Sequence, residues 1–205
     1  MTSFLRKQSK MQKLVPMMSK PEIELFKLYI EGARNYLEYG CGGSTYLVSM
    51  NPNIQFIASV EGQETWINKC LDIKPINNLL KNNMIAFHYI DYNAGTDCGK
   101  PINNEKMGNY KSYSDVVSLY PVGKFDIVLV DGRFRVACTL KLYNYIDSKA
   151  RVLVHDYMNR PEYKCIEEFF DIIDYSDTMA VFVKNSVINY DDLEEYIDYY
   201  NNISD

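Results

Sequence analysis

The chain has 205 residues, 47% hydrophobic and 24% charged, with a formal net charge of -5. That length and apolar content suit one globular domain with a full core and exclude a disordered or fibrous chain. The 22 basic residues form no block, so nothing advertises an electrostatic grip on a nucleic-acid backbone, and nucleic acid is not expected as a partner.

No apolar run approaches the roughly 18 residues needed to span a bilayer, and none of signal-peptide length follows Arg6, Lys7 and Lys10. The expectation is a soluble, unsecreted, cytoplasmic protein with no membrane partner. Cys41, Cys70, Cys98, Cys138 and Cys165 are scattered, odd in number and without a CxxC pair. They read as reduced thiols rather than a zinc site.

Residues 1 to 18 are polar and Met-rich without a period, and read as an arm or lid. Ser19-Lys20-Pro21-Glu22 is a helix start, with Ser as N-cap, Pro in the first turn and Glu three after the cap, and the helix should reach about Glu31. The division expected is an arm and helix over 1–34 and one domain over 35–205. Strands are predicted at Tyr36 to Tyr39, Gln55 to Val60, Met84 to Tyr89, Phe125 to Val130 and Arg151 to His155. Helical runs lie near Thr45 to Met50, Glu64 to Asp72, Ser114 to Tyr120 and Arg135 to Ile146. The run Ile127-Val128-Leu129-Val130 is apolar on both faces, as a central strand between helix layers must be.

Residues 92 to 113 interrupt the alternation with Asn, Gly, Lys and Ser, and would either cover a substrate or form a plain surface insertion. After a helix near Glu162 to Phe170, the segments Ile172 to Tyr175 and Met179 to Val183 are separated by three residues, too few for a crossover helix. These two strands must be antiparallel neighbours. A last helix is expected over Tyr190 to Asn201. The architecture predicted is an α/β, mostly parallel seven-stranded sheet ending in an antiparallel C-terminal hairpin, with helices on both faces.

Asn35 to Thr45 runs from a strand ending on an acid, through a glycine-dense turn, into a helix start. Glycines allow close backbone approach, Ser44 and Thr45 open a helix with unpaired N–H groups, and Glu38 brings negative charge. This is a cradle for a small ligand carrying a cationic group. Glu38, Glu61, Asp91, Asp131 and Asp156 all fall at carboxyl ends of predicted strands, which form one ligand-binding edge in an open parallel sheet.

Leu37-Glu38-Tyr39-Gly40-Cys41-Gly42-Gly43-Ser44-Thr45 is similar to the first motif of the class I S-adenosylmethionine-dependent methyltransferases, with a Rossmann-like fold. The resemblance, from about residue 35 to the end, implies that Glu38, Gly40, Cys41, Gly42, Gly43, Ser44 and Thr45 hold the cofactor's methionine part. It implies that Glu61 binds the ribose hydroxyls and Asp91 lies near the adenine, with Asp131 also beside the cofactor. A dinucleotide fold is the competitor, but its fingerprint asks for Gly or Ala where this chain has Thr45, and Glu38 would repel a pyrophosphate.

Phe125 to Cys138, with Asp131-Gly132-Arg133, and Val152 to Tyr157, with His155-Asp156, resemble metal-dependent small-molecule O-methyltransferases of the catechol and macrocin types. The match implies Asp131, His155 and Asp156 as ligands of a divalent cation, Mn or Mg, that acidifies an acceptor hydroxyl. Those sugar enzymes usually carry acids at the positions of His155 and Arg133. His155 is alternatively a general base, or a histidine satisfied within a strand end. His88 lies within a strand and reads as structural.

Arg133 and Arg135 would hold an anionic substrate group or pair with nearby acids. Tyr110, Tyr113, Tyr157 and Tyr163, near the ligand edge, would offer faces to a sugar ring or simply fill surface. The reading is methyl transfer to a hydroxyl of a sugar or glycan, with Asp131, Arg133 and His155 as the catalytic group. The alternatives are a catechol-like enzyme and a non-catalytic binding module. The chain is also similar to small sugar methyltransferases of large algal viruses, which implies a host-cytoplasmic location. Monomer and homodimer both stay open.

Overall fold

The structure is a computed structural model that describes residues 13–203. Residues 1–12 of the expected arm, with Arg6, Lys7 and Lys10, lie outside the described residues, as do residues 204–205.

Helix α1 (Lys20–Ile30) begins as its sequence dictates. The Ser19 hydroxyl accepts the Glu22 N–H at 3.3 Å, and the Glu22 carboxylate accepts the Ser19 N–H at 2.8 Å, a reciprocal cap behind a first-turn proline. Phe26 and Ile30 turn inward, and Phe26 meets Tyr36 edge-on with ring centroids 6.1 Å apart.

The alternation then runs β1 (Asn35–Tyr39), α2 (Gly43–Ser49), β2 (Phe56–Glu61), α3 (Glu64–Leu71), α4 (Lys74–Lys81), β3 (Ile85–Tyr89), α5 (Tyr110–Ser114), β4 (Ile127–Val130), α6 (Arg135–Leu142), β5 (Arg151–Val154), β6 (Phe170–Ser176), β7 (Met179–Lys184) and α7 (Tyr190–Tyr200). The seven strands form one sheet in the order β3-β2-β1-β4-β5-β7-β6. β1 to β5 are parallel, and β7 lies antiparallel between β5 and β6. Strand order reverses between β1 and β4, so the crevice at their carboxyl ends is the topological switch point where such sheets take ligands.

Period-two alternation divides the core. Leu37, Val128, Val130, Val152 and Val154 pack toward α5, α6 and α7, while Tyr36, Ile57, Leu129 and Leu153 pack toward α1 to α4. β4 is buried on both faces, as its unbroken apolar run requires.

Three local expectations need correction. α4 was not predicted; the chain restarts a helix at Lys74-Pro75, with proline in its first turn, and Ile76 and Leu79 pack against the core. Ser114 to Tyr120 is the end of α5 followed by tight 3-10 turns over Asp115–Leu119. The helix at 162–170 is a 3-10 run, Pro161–Glu168, and Phe170 already belongs to β6. No helix of the described residues is long and apolar enough to cross a membrane.

Candidate active site

At the end of β1 the Gly40 N–H donates to the Val60 carbonyl at 2.8 Å, and Gly40 takes φ +95, a region that only glycine occupies without strain. A β-carbon there would stand 2.9 Å from the α-carbon of Gly132. The turns after β1 and β4 therefore touch, backbone to backbone, at the switch point.

Glu38 is wholly buried on the face of β1 that it shares with Tyr36. It accepts hydroxyl hydrogen bonds from Tyr36 at 3.1 Å, Ser44 at 2.8 Å and Ser59 at 2.7 Å, and another from Thr45. Those four donors match the roughly four acceptor positions of a carboxylate. Burial outweighs them and pushes its pKa up to about 7. Ser44 and Thr45 thus act through their hydroxyls, and Thr45 also accepts the Gly42 N–H at 2.9 Å. Glu38 anchors the turn to β1 and β2 from inside.

Glu61 faces the turn from the end of β2 and is 8% exposed. It accepts the N–H groups of Cys41 at 3.0 Å and of Gly62 and Gln63 at 2.8 Å each, three of about four acceptor positions. Burial raises its pKa despite these donors. The neighbouring Cys70 thiol, together with burial, holds the Cys41 thiol well above its ordinary range, which makes it inert rather than nucleophilic. Asp91, after β3, is engaged by the long loop. Lys106 pairs with its carboxylate and lowers its pKa, and Asn109 donates to its carbonyl at 2.7 Å.

At the ends of β4 and β5 the structure brings Asp131, His155, Asp156 and Arg135 together. His155 Nδ1 stands 2.9 Å from Asp131 Oδ1 and 3.7 Å from Asp156 Oδ1, while Nε2 stands 3.3 Å from Glu22 Oε2. Burial works against charge on His155, but the Asp131 hydrogen bond and the carboxylates outweigh it and its pKa is raised. With a carboxylate on each ring nitrogen, His155 is held as a two-sided donor and lacks the open nitrogen a base needs. The expected satisfied histidine is thus present, with carboxylates rather than backbone as its partners.

Arg135, 6% exposed, threads between the same acids. It donates from Nε to the Gly132 carbonyl at 3.0 Å and from Nη1 to the His155 carbonyl at 2.6 Å and Asp156 Oδ2 at 2.8 Å. Its Nη2 lies 3.5 Å from Asp131 Oδ1. Burial opposes the charge, yet Asp131, Tyr163 and Asp156 raise its pKa. Phe134 and Asp156, on either side of this contact, both hold left-handed backbones at φ 56 and φ 59, which aspartate tolerates and which strains Phe134 by about 1–3 kcal/mol that the packing must hold in place. Of the two readings of the arginines, Arg135 takes the one in which it pairs with acids. Arg133 is also buried, with its stem near Gly99 of the long loop.

The tyrosines correct another expectation. Tyr110, Tyr113, Tyr157 and Tyr163 are at most 4% exposed. Tyr110, Tyr113 and Tyr92 pack edge-on or tilted around Phe134 with centroids 4.6 to 5.5 Å away. They close the core under the long loop instead of offering a platform to a sugar. His88 is structural as expected, its Nε2 2.7 Å from the Tyr120 hydroxyl. Sequence reasoning missed Glu22, which it read as a cap alone. Its 3% exposure and contacts with Thr178 and His155 come from the β6–β7 hairpin and β5, which no local pattern announces.

The donor set at the glycine turn suits a polar small molecule with hydroxyls and positive charge. Among the described residues no cationic side chain hydrogen-bonds the buried Glu61, and Glu38 lies behind the turn. The chain's own groups line this cradle closely. A β-carbon on Gly43 would stand 2.0 Å from the Pro16 nitrogen, and one on Gly62 would stand 2.1 Å from the Tyr92 ring. The acids after β4 and β5 do not suit a divalent metal. Among the described residues no group of three or more His, Cys, Asp or Glu side chains is arranged to hold one, and the Arg135 guanidinium stands between Asp131 and Asp156.

No protein-family model and no curated protein matches the chain. Among solved structures, a methyltransferase-like protein from Silicibacter pomeroyi is similar over 92% of this chain and 98% of its own, with 27% identity and a TM-score of 0.77. The N-methyltransferase NodS from Bradyrhizobium japonicum, in complex with S-adenosyl-L-homocysteine, covers 80% of this chain and 85% of its own, at 10% identity and TM-score 0.51. A methyltransferase from Geobacter sulfurreducens covers 83% and 82%, at 9% identity and TM-score 0.50. The chain therefore has the Rossmann-like fold of these methyltransferase structures, with the antiparallel C-terminal strand pair that its sequence predicted.

Proposed function

We propose that this chain transfers a methyl group from S-adenosylmethionine to a hydroxyl of a sugar or glycan. The observation that carries the reading is Glu61, a buried carboxylate at the end of β2 that faces the glycine turn and gathers the N–H groups of Cys41, Gly62 and Gln63. Bound there, the cofactor would supply an electrophilic methyl on a sulfonium. Gly40 to Thr45 and Glu61 would orient it, with Asp91 tying the long loop over the same edge.

The acceptor end contributes Asp131. Its side chain is 22% exposed and is oriented by His155 and Arg135, so its open face would accept the hydrogen of an incoming hydroxyl and receive the proton as the oxygen is methylated. His155 then acts as the charged partner of Asp131, and Arg133 would back the acceptor pocket. Positioning of this kind is worth up to about 7–11 kcal/mol in effective molarity. The choice of a sugar rests on the resemblance to macrocin-type enzymes. The fit of the residues gives no metal-assisted step.

A thermal-shift and calorimetric titration tests the cofactor. S-adenosylmethionine at 100 times its dissociation constant should stabilise the protein by about 2.7 kcal/mol, NAD should not, and Glu61→Gln should lose at least tenfold in affinity. No stabilisation by S-adenosylmethionine would favour the second reading, a binding module without turnover, which the close packing of Pro16 and Tyr92 on the turn supports. Labelled cofactor with a panel of free sugars, nucleotide sugars and catechols then identifies the acceptor.

A further inference from the structure

Among the described residues, three carboxylates converge near the carboxyl ends of β4 and β5, and three side-chain cations stand among them. Asp131, Asp156 and Glu22 are matched by Arg135, His155 and Arg160, the last 3.3 Å from Asp156 Oδ2. Fully ionised, these six groups carry no net charge between them. A carboxylate group that recruits a divalent cation needs surplus negative charge and open oxygens aimed at one point. Here that point is taken.

We propose that the Arg135 guanidinium is the resident cation of this site, holding Asp131 and Asp156 in the arrangement a divalent metal would otherwise impose. Its Nη1 binds Asp156, its Nη2 faces Asp131, and Nε and Nη1 reach the carbonyls of Gly132 and His155 on the two strand ends. One planar fork thus ties the loop after β4 to the loop after β5, a geometry arginine makes and lysine cannot. Arg135 is a positioning residue, because it reaches the acceptor only through Asp131.

The inference rests on the proposed function only in calling this the acceptor end, and its test needs neither cofactor nor turnover. Manganese(II) is titrated into the full-length chain and the free ion is followed by electron paramagnetic resonance. The unsubstituted protein should leave the free-ion signal undiminished at submillimolar manganese. Stoichiometric binding that disappears in Asp131→Asn would overturn the proposal. Arg135→Ala, with folding verified by circular dichroism, should bind manganese at least tenfold more tightly than the unsubstituted chain, through Asp131, His155 and Asp156. A folded Arg135→Ala chain that gains no affinity would also overturn it. Should that variant not fold, Arg135→Met, which keeps the apolar stem, takes its place, and the titration of the unsubstituted chain decides by itself. Arg135→Lys keeps a cation at the site and should stay manganese-free.

Discussion

Glu22 and His155, 133 residues apart in the chain, meet at 3.3 Å between Oε2 and Nε2. The contact joins the first helix to the end of β5. The same carboxylate accepts the Thr178 N–H at 2.9 Å and its hydroxyl at 2.6 Å, so one residue ties α1, β5 and the β6–β7 hairpin together.

Glu22→Ala should therefore do more than remove a helix cap. Removing one partner of a buried ion pair costs roughly 3–5 kcal/mol, whereas losing a cap alone costs about 1 kcal/mol. Chemical denaturation of the variant distinguishes the two: a loss near 1 kcal/mol would show that the Glu22–His155 contact adds nothing.

Two acids set opposite pH windows. Glu38 has its pKa raised to about 7 by burial, above an ordinary value of 4.5, so the folded state holds that proton more tightly than the unfolded chain. Its contribution is fully present below pH 4.5 and is lost as pH rises through 7, by about 3 kcal/mol at 1.36 kcal/mol per unit. Glu22 has its pKa lowered to about 2 because hydrogen bonds from Thr178 and Ser19 and the His155 charge outweigh burial. Its contribution is present above pH 4.5 and is lost as pH falls toward 2. Melting temperature should peak near pH 4.5 to 5, and Glu38→Gln should flatten the decline toward pH 7. An unchanged slope in that variant would contradict the assignment.

Gly132→Ala tests the contact at the switch point. The new β-carbon would meet the Tyr113 hydroxyl at 2.2 Å and the Gly40 nitrogen at 3.0 Å, an overpacking that costs about 1–3 kcal/mol. Tyr113→Phe removes the nearer atom. The double variant should recover part of the loss, so a double-mutant cycle should give a favourable coupling of about 0.5 kcal/mol or more. Strict additivity would mean that the Tyr113 hydroxyl does not pack against Gly132.

Asp156 combines charge with a left-handed backbone. Asp156→Asn keeps a side chain that tolerates φ 59 but removes a partner of the buried Arg135. Asp156→Ala removes both advantages and should be the less stable variant by about 1 kcal/mol. Urea midpoints at pH 7 rank the two, and equal midpoints would show that the backbone conformation costs alanine nothing extra.

The sheet was legible because strand and crossover patterns are local. The unbroken apolar run Ile127–Val130 could only be an interior strand, and three residues between Tyr175 and Met179 could only join antiparallel neighbours. α4 escaped notice because it is short and follows α3 after only two residues, although Ile76, Leu79 and Leu80 recur at helical spacing. At the site, the glycine turn and Glu61 were legible because close approach and strand-end acids are written in single residues. The pairing of Arg135 with Asp131 lies one helical turn away and was foreseen as an option; its reach to Asp156 was not, because it depends on how β5 lies beside β4.

The sequence by itself determined a mostly parallel sheet with its acids gathered on one edge, since side-chain period and strand polarity are properties of the chain. Only the tertiary structure decided what those acids do. Glu38 is closed from within by four hydroxyls, His155 is held between Asp131 and Glu22, and Arg135 takes the position between two carboxylates. The partners of a buried charge come from distant segments, and a carboxylate's role depends on which of them arrive.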